Sequence, residues 1–247
     1  MSKFYGYKGE YRVRTSEINK FKELRLTNLI QLMQEASMQN VLSLKLSVWD
    51  LEQSKLSWVL LKKEIHINTI PKLGDDITIV TYPSGFKKIF AYRDFKVYND
   101  KQVLVASASS TWGLMDMEKR RLVMIPAYEF YNVIPEGSLE PPSFSLKNLD
   151  NYLQDVQTQM VWHDLDWNGH INNSILIKKM IESLPAEIFD DCQIESMQIQ
   201  FKSESFLKDI LTSKSSFSNN ESFHYLYRES DDKPICLSQI KWKTRKK

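Results

Sequence analysis

One stretch of this sequence concentrates the residue types that move protons and polarise carbonyls: Trp162-His163-Asp164-Leu165-Asp166-Trp167-Asn168-Gly169-His170-Ile171-Asn172-Asn173. Asp166, Asn168 and His170 stand at i, i+2 and i+4, a spacing that in extended or loop backbone puts three side chains on one side. A carboxylate, an amide and an imidazole so arranged can orient one another and polarise a carbonyl. Asn172 and Asn173 read as the start of a helix, whose first-turn N–H groups and dipole favour a developing oxyanion. The same residues also describe a polar loop with an Asn cap, and residue types alone leave both readings open. Further on, Glu204 in Gln200-Phe201-Lys202-Ser203-Glu204-Ser205-Phe206 ends an alternating strand just before the turn Leu207-Lys208-Asp209. It is either a partner carboxylate for the cluster or a solvated strand end.

The other candidates read as structure. His66 is expected to be a half-buried strand residue, His224 to pack within Phe223-His224-Tyr225-Leu226-Tyr227, and His163 to sit in an exposed loop. Cys192 and Cys236 read as small packing groups rather than nucleophiles. No CxxC or HxxxH pair is present, so no tetrahedral metal site is expected. With 33 Lys+Arg against 31 Asp+Glu, the net charge of +2 excludes a nucleic-acid binder built on overall charge. The basic runs at 118–121 and 241–247 read as solvated faces or as docking points for an acidic partner. The longest apolar runs, such as Trp58-Val59-Leu60-Leu61, are far below the ~20 residues of a membrane helix. No apolar signal segment is visible in MSKFYGYKGEY. The expectation is a soluble, reduced, cytoplasmic protein without membrane contact.

The elements that must position the cluster come in two similar sets. Residues 8–15 read as a strand and 27–44 as a helix, with Leu29, Leu32, Met33, Ala36 and Val41 on one face and Thr27 as its cap. Strands are expected at 56–69, 75–82, 86–98 and 103–115, broken at Pro71–Gly74, Pro83–Gly85 and Asn99-Asp100. The Pro-rich segment 126–150 reads as a linker. Then the order recurs: a strand at 156–163, a helix at 172–184, and strands at 192–204, 208–217, 221–229 and 234–243. Leu73-Gly74-Asp75 matches Leu207-Lys208-Asp209 at an offset of 134 residues. The expected division is 1–125, 126–150 and 151–247, two copies of one unit. Short connections imply antiparallel meanders. One helix cannot cover both faces of such a sheet, so the copies are expected to pair, with a ligand groove between them.

The cluster also resembles a known family, the acyl-acyl carrier protein (acyl-ACP) thioesterases of plants and bacteria, of the FatA/FatB type. Their D-x-N-x-H-[VI]-N-N element is matched by Asp166 to Asn173, preceded by Asp164-Leu165. Their LES is matched by Glu182-Ser183, and their Y-R-x-E-C by Phe201-Lys202-Ser203-Glu204-Ser205. Tyr11-Arg12-Val13-Arg14, Thr111-Trp112 and Lys119-Arg120-Arg121-Leu122 are similar as well. The resemblance implies an α+β double hotdog fold and hydrolysis of fatty acyl-ACP to free acid and ACP, without metal or organic cofactor beyond the carrier's phosphopantetheine. It implies Asp166, Asn168, His170 and Glu204 as catalytic residues, with Asn172 and Asn173 at the oxyanion. It places the acyl chain in the first unit against Leu29, Leu32, Met33, Ala36 and Trp58, residues that equally suit a plain core. Many plant members carry a cysteine where Ser205 stands, so direct attack by water is expected here rather than a thiol nucleophile. An acyl-CoA thioesterase and a non-catalytic acyl-binding hotdog protein remain alternatives, as do monomer and homodimer.

Overall fold

The computed structural model describes residues 4–133, 135–147, 152 and 154–245. They divide into two compact units after Ser143. In the first unit, strand β1 (Tyr7–Arg12) leads through a 3-10 turn (Thr15–Glu17) to helix α1 (Leu26–Ser43) and the short α2 (Val48–Glu52). Strands β2 (Leu56–Ile67), β3 (Asp76–Lys87), β4 (Phe90–Asn99), β5 (Leu104–Asp116) and β6 (Arg121–Val123) follow. In the second unit, β7 (Gln154–Gln159) is followed by a 3-10 turn (Trp162–Asp164), α3 (Asn173–Ile181) and α4 (Ala186–Asp191). Strands β8 (Cys192–Phe201), β9 (Ile210–Ser218), β10 (Glu221–Arg228) and β11 (Lys233–Thr244) complete it.

The duplication appears in the pairing. The first unit's strands lie in the order β1-β3-β4-β5-β2, with β6 on β5, and the second unit's in the order β7-β9-β10-β11-β8. All the described pairings are antiparallel. The two orders are the same once each strand is matched to its counterpart. In each unit the helix that follows the first strand lies on the sheet, α1 against β1 and β3, α3 against β9 and β10. The α1 face reads as the periodicity requires: Leu29, Ile30, Met33 and Ala36 are buried, as are the sheet residues Ile65, Ile79, Phe95 and Val97. No helix among the described residues is long and apolar enough to cross a membrane.

Three local expectations are corrected. Pro83-Ser84-Gly85 does not end a strand: β3 runs on to Lys87, with a register shift between Pro83 and Gly85. A bulge tolerates a residue that cannot donate to the ladder, and the chain reverses at Lys88 (φ 58°) instead. Thr27 does not cap α1. The cap position is Arg25, which makes no side-chain cap bond but whose N–H is tied to the carbonyl of Glu17. His66 is exposed rather than half-buried, its Nε2 3.5 Å from Glu64 Oε1.

Of the segment 126–150, Phe130 and Tyr131 are buried with Leu46, Leu51, Ala91, Leu114 and Ile125. Leu139 N–H donates to Asp94 Oδ2 at 2.6 Å. Ile134 and residues 148–150, like the last two residues of the basic run at 241–247, lie outside the described residues.

The second unit's core holds a polar chain whose proton order is dictated by its ends. Trp242 Nε1, which can only donate, bonds Ser222 Oγ at 2.8 Å. Ser222 Oγ lies 2.8 Å from His224 Nε2, and His224 Nδ1 lies 3.1 Å from the carbonyl of Met180, which can only accept. His224 therefore carries its proton on Nδ1 and is neutral. Burial pushes its pKa down to about 4, against a smaller upward pull from the Met180 carbonyl. An unfolded histidine titrates near pH ~6.5, so between about 6.5 and 4 the unfolded chain binds the extra proton and the folded one does not. Stability thus falls as pH falls through that window, with a slope from this residue approaching ~1.4 kcal/mol per pH unit. His224→Gln keeps a donor and an acceptor but cannot titrate. Urea unfolding at pH 7 and pH 5 should show a smaller acid loss in the variant than in the wild type; equal losses would refute this account.

Candidate active site

The motif Asp166–Asn173 does not run extended. Asp166 N–H donates to the carbonyl of His170 at 2.7 Å, and Gly169 N–H to the carbonyl of Asp166 at 3.0 Å. Gly169 sits at φ +76°, with nothing within 4 Å of where a Cβ would stand, so backbone conformation alone makes glycine fit there. The Asp166 carboxylate turns inward: Oδ1 accepts from the N–H of Asn168 at 2.8 Å and of His170 at 3.2 Å. The i, i+2, i+4 spacing thus does not array three side chains from extended backbone. Asp166 closes a turn, Asn168 is exposed at its tip, and His170 stands half-buried where the turn ends. His163 is exposed.

From His170 the chain is joined to the segment that carries Glu204. Ile171 N–H donates to the carbonyl of Ser205 at 2.8 Å. β8 stops at Phe201, so Glu204 is not a strand end but part of a loop. The loop is fastened by Asp209, whose Oδ2 accepts from Ser205 Oγ at 3.0 Å and from Phe206 N–H at 2.9 Å. Lys208 N–H and Met160 N–H then lock the loop against the end of β7, through the carbonyls of Met160 and Asp209. The result brings His170 Nδ1 to 3.7 Å from Glu204 Oε1, with side chains 20% and 23% exposed. The His170 ring meets Phe206 edge-on, centroids 5.2 Å apart. An imidazole and a carboxylate this close, open to solvent on one side, can hold a water molecule and take its proton.

At the helix start Asn172 is occupied with capping. Its Oδ1 accepts from Ser174 N–H and Ser174 Oγ, both at 2.9 Å, and its carbonyl accepts from Ile175 and Leu176 N–H. The first turn therefore does not offer all its donors; among the described residues, Asn173 N–H is the one it does not itself use.

Arg228, a lone arginine at the end of β10, carries no signal in the sequence but joins this site. It donates from Nη2 to the carbonyl of Glu204 at 3.3 Å. Its Nη1 lies 3.6 Å from Asp209 Oδ2, and the guanidinium carbon lies 6.0 Å from the Phe206 ring centroid. Cys236 is buried beside Met180, its thiol pushed up by burial. Neither cysteine is in the loops that carry His170 and Glu204.

The chain matches the family profile of the acyl-ACP thioesterase N-terminal domain over residues 5–134 and that of the C-terminal domain over residues 149–244. It belongs to the acyl-ACP thioesterase family. A chloroplastic acyl-[acyl-carrier-protein] hydrolase of Cuphea viscosissima is 25% identical over 259 residues, 95% of this chain and 61% of the relative. The chain thus spans about three fifths of the length of such curated relatives. An acyl-ACP thioesterase of Bacteroides thetaiotaomicron superposes with a TM-score of 0.88 at 16% identity, covering 97% of this chain and 98% of that one. A 12:0-ACP thioesterase of Umbellularia californica gives 0.85 at 18% identity, covering 98% and 99%. At such identities the solved structures speak for the fold, which is the expected α+β double hotdog.

Within this chain the first unit repeats the backbone scaffold of the candidate site without its His–Glu pair. Asn19 Oδ1 accepts from Phe21 and Glu23 N–H at 2.9 and 3.1 Å, as Asp166 does from Asn168 and His170. Lys22, at φ 62°, takes the place of Gly169. Leu24 N–H donates to the carbonyl of Pro71 at 2.8 Å, as Ile171 does to Ser205. Asp75 Oδ2 accepts from Lys72 N–H at 2.8 Å, as Asp209 does from Phe206. Glu23 therefore stands where His170 stands, and Ile70 where Glu204 stands. A turn-closing oxygen occurs in both copies, from a carboxylate at Asp166 and from an amide at Asn19.

Of the acyl-lining candidates, Leu29, Met33 and Ala36 are buried on α1, and Leu32 is half-buried beside them. Trp58 is not with them: it packs against the Leu46–Leu51–Phe130 cluster, its Nε1 donating to the Leu46 carbonyl at 3.2 Å. Asp166→Ala should cost about 1 kcal/mol in urea unfolding through two lost backbone bonds. Asp166→Asn, copying Asn19, should stay within about 0.5 kcal/mol of wild type. Equal losses in the two variants would count against the turn-closing role.

Proposed function

We propose that this chain hydrolyses fatty acyl-ACP thioesters to free fatty acid and ACP. The observation that carries the reading is the approach of His170 Nδ1 to Glu204 Oε1, 3.7 Å, in a chain matched to this family through both its domains.

In this reading Glu204 accepts a proton as the water oxygen bonds to the thioester carbon. The carbonyl electrons move onto oxygen, and the N–H of Asn173 faces that charge. Collapse of the tetrahedral species breaks the C–S bond, and the proton held by Glu204 passes to the phosphopantetheine sulfur. His170 orients the water and Glu204, and Asn168 reaches the carrier side of the substrate from the tip of its turn. Arg228 and Asp209 hold Glu204's backbone in place. The mechanism needs no metal or organic cofactor. The exposed apolar side chains Trp162, Trp167, Phe206 and Leu207 suit a substrate with a long apolar tail.

The test is release of free acid from acyl-ACPs of graded chain length, beside the matching acyl-CoAs. Glu204→Gln and His170→Ala should each lower kcat by ~10²–10⁴, while Asp166→Asn keeps most of it. Wild-type kcat in a folded Glu204→Gln variant would remove that residue from the mechanism. Faster turnover of CoA esters would reassign the carrier. Because ACP is acidic, KM on acyl-ACP should rise between low and high salt; a flat KM would refute charge-guided docking.

A further inference from the structure

The two loops of the second unit that hold His170 and Glu204 also carry exposed apolar side chains that their fold does not require. Trp162 is 70% exposed, more than any other large apolar side chain among the described residues, and Trp167 is 57% exposed. Val161, Phe206 and Leu207 are exposed as well. Backbone bonds fasten the loops to each other. Met160 N–H donates to the carbonyl of Asp209 at 2.8 Å, Lys208 N–H to that of Met160 at 3.0 Å, and Ile171 N–H to that of Ser205 at 2.8 Å. The Phe206 ring meets the His170 ring, so the apolar surface is continuous with the reacting pair.

The first unit is the internal control, because its loops are held by the same bonds. Arg14 N–H donates to Glu17 Oε2 at 2.8 Å, as Val161 N–H does to Asp164 Oδ2 at 2.9 Å. The bridge Ile18–Leu24 matches Leu165–Ile171, and the bond from Val13 to Asp75 matches that from Met160 to Asp209. By these bonds Val161 corresponds to Arg14, Trp162 to Thr15, Trp167 to Lys20, Phe206 to Lys72 and Leu207 to Leu73. All but the last of these positions are polar or charged in the first unit. The scaffold therefore does not call for the apolar side chains. An exposed apolar patch confined to the copy with the His–Glu pair marks a surface that a partner covers.

The charges on these loops say which partner. The acids are half-buried and turned inward: Asp164, Asp166 and Asp209 close their own turns, and Glu204 faces His170. Across residues 161–170 and 202–209 the exposed charged side chains are Lys202 and Lys208. Apolar anchors with cations at their border suit a protein surface that is acidic around an apolar contact.

We propose that Trp162 and Trp167, bordered by Lys202 and Lys208, are the anchors on which the acidic body of the acyl carrier protein docks. The inference rests on the reading that acyl-ACP is the substrate. The thioester hangs from the carrier by the phosphopantetheine arm, so the carrier's body must rest within one arm's length of His170 and Glu204. The tryptophans stand on the loops that hold that pair. Exposed tryptophan is the residue type that most often carries the binding energy of a protein interface. Docking through the carrier's body also gives the enzyme a means of preferring ACP over CoA, which offers the same arm without a protein to grip.

The probe is holo-ACP, which carries the arm but no acyl tail and so separates docking from contact with the tail. Its binding is measured by calorimetry to wild type, to the double variant Trp162→Thr, Trp167→Ala and to Lys208→Glu. Thermal unfolding reports whether the variants fold. Holo-ACP should bind wild type, and the double variant should lose about tenfold or more of that affinity, as an interface does when its anchors are removed. Lys208→Glu should weaken binding more at low salt than at high salt. Absence of holo-ACP binding by wild type, or equal affinity in the folded double variant, would overturn the proposal. So would self-association, or binding to anionic lipid vesicles, that depends on the two tryptophans while holo-ACP affinity does not. Turnover of acyl-ACP is scored separately. A chain that grips holo-ACP through the tryptophans but hydrolyses no acyl-ACP keeps this surface and loses the hydrolase reading. A chain that hydrolyses acyl-ACP with the same KM in wild type and double variant keeps the hydrolase reading and loses the surface.

Discussion

The candidate site depends on one backbone hydrogen bond, Ile171 N–H to the carbonyl of Ser205 at 2.8 Å. His170 and Glu204 are 34 positions apart in sequence, and neither side chain has the reach to find the other unaided. Each is the immediate neighbour of one end of that bond. The bond acts because both of its flanks are rigid: Asp166 closes the turn before Ile171, and Asp209 closes the loop after Ser205. Ser205 is itself buried, so the carbonyl that accepts is not available to water as an alternative partner, and a buried unpaired acceptor is costly. The interaction that looks least chemical is therefore what sets the 3.7 Å separation of imidazole and carboxylate.

The duplication separates scaffold from function more cleanly than a lone unit could. The same backbone bonds recur at Leu24–Pro71 and Ile171–Ser205, and the same side-chain closures recur at Asn19 and Asp166, and at Asp75 and Asp209. What recurs is required by the fold; what differs is free to specialise. By that criterion Asp166 and Asp209 belong to the scaffold, whereas His170 and Glu204 belong to the second copy alone. Sequence spacing groups Asp166 with His170 because both lie in one motif, and the comparison of the two copies shows that the turn-closing bonds of Asp166 recur whereas the His170–Glu204 approach does not.

Much of this was legible in the sequence. Element order, the long helix with Leu29, Met33 and Ala36 inward, and the repeat itself follow from periodicity and from the 134-residue offset of the two Leu-x-Asp turns. Boundaries failed where a local rule was overridden by pairing: Pro83 reads as a stop, but a bulge lets β3 pass through it. Thr27 reads as a cap, but the start of α1 is set by a backbone bond from Arg25 to Glu17. The inward turn of Asp166 was not legible, because i, i+2, i+4 implies one side only for extended chain. Trp58 is grouped with α1 by the resemblance alone, and neither its type nor its strand position tells which of two clusters it joins. Lys63 shares its strand face with the buried Ile65 and Ile67, so strand alternation buries it despite its charge.

The two copies also treat buried nitrogen in opposite ways. His224 stands opposite Ser215, where its counterpart Phe95 stands opposite Thr81. The imidazole is neutral, donates to Met180 and faces Ser222, so every polar atom in that chain has a partner inside the protein. A fully satisfied network of this kind stabilises one arrangement and has no capacity left for a ligand. Lys63 and Arg93 are the reverse case: they retain donors beyond those that Asn40, Thr81 and the Phe95 ring engage. Satisfied polarity in the second copy contributes stability to the unit that carries His170 and Glu204, and stability holds a reacting pair at fixed separation. Unspent polarity in the first copy costs stability, whereas the second copy places the uncharged Met197 and Ser222 in the matching row.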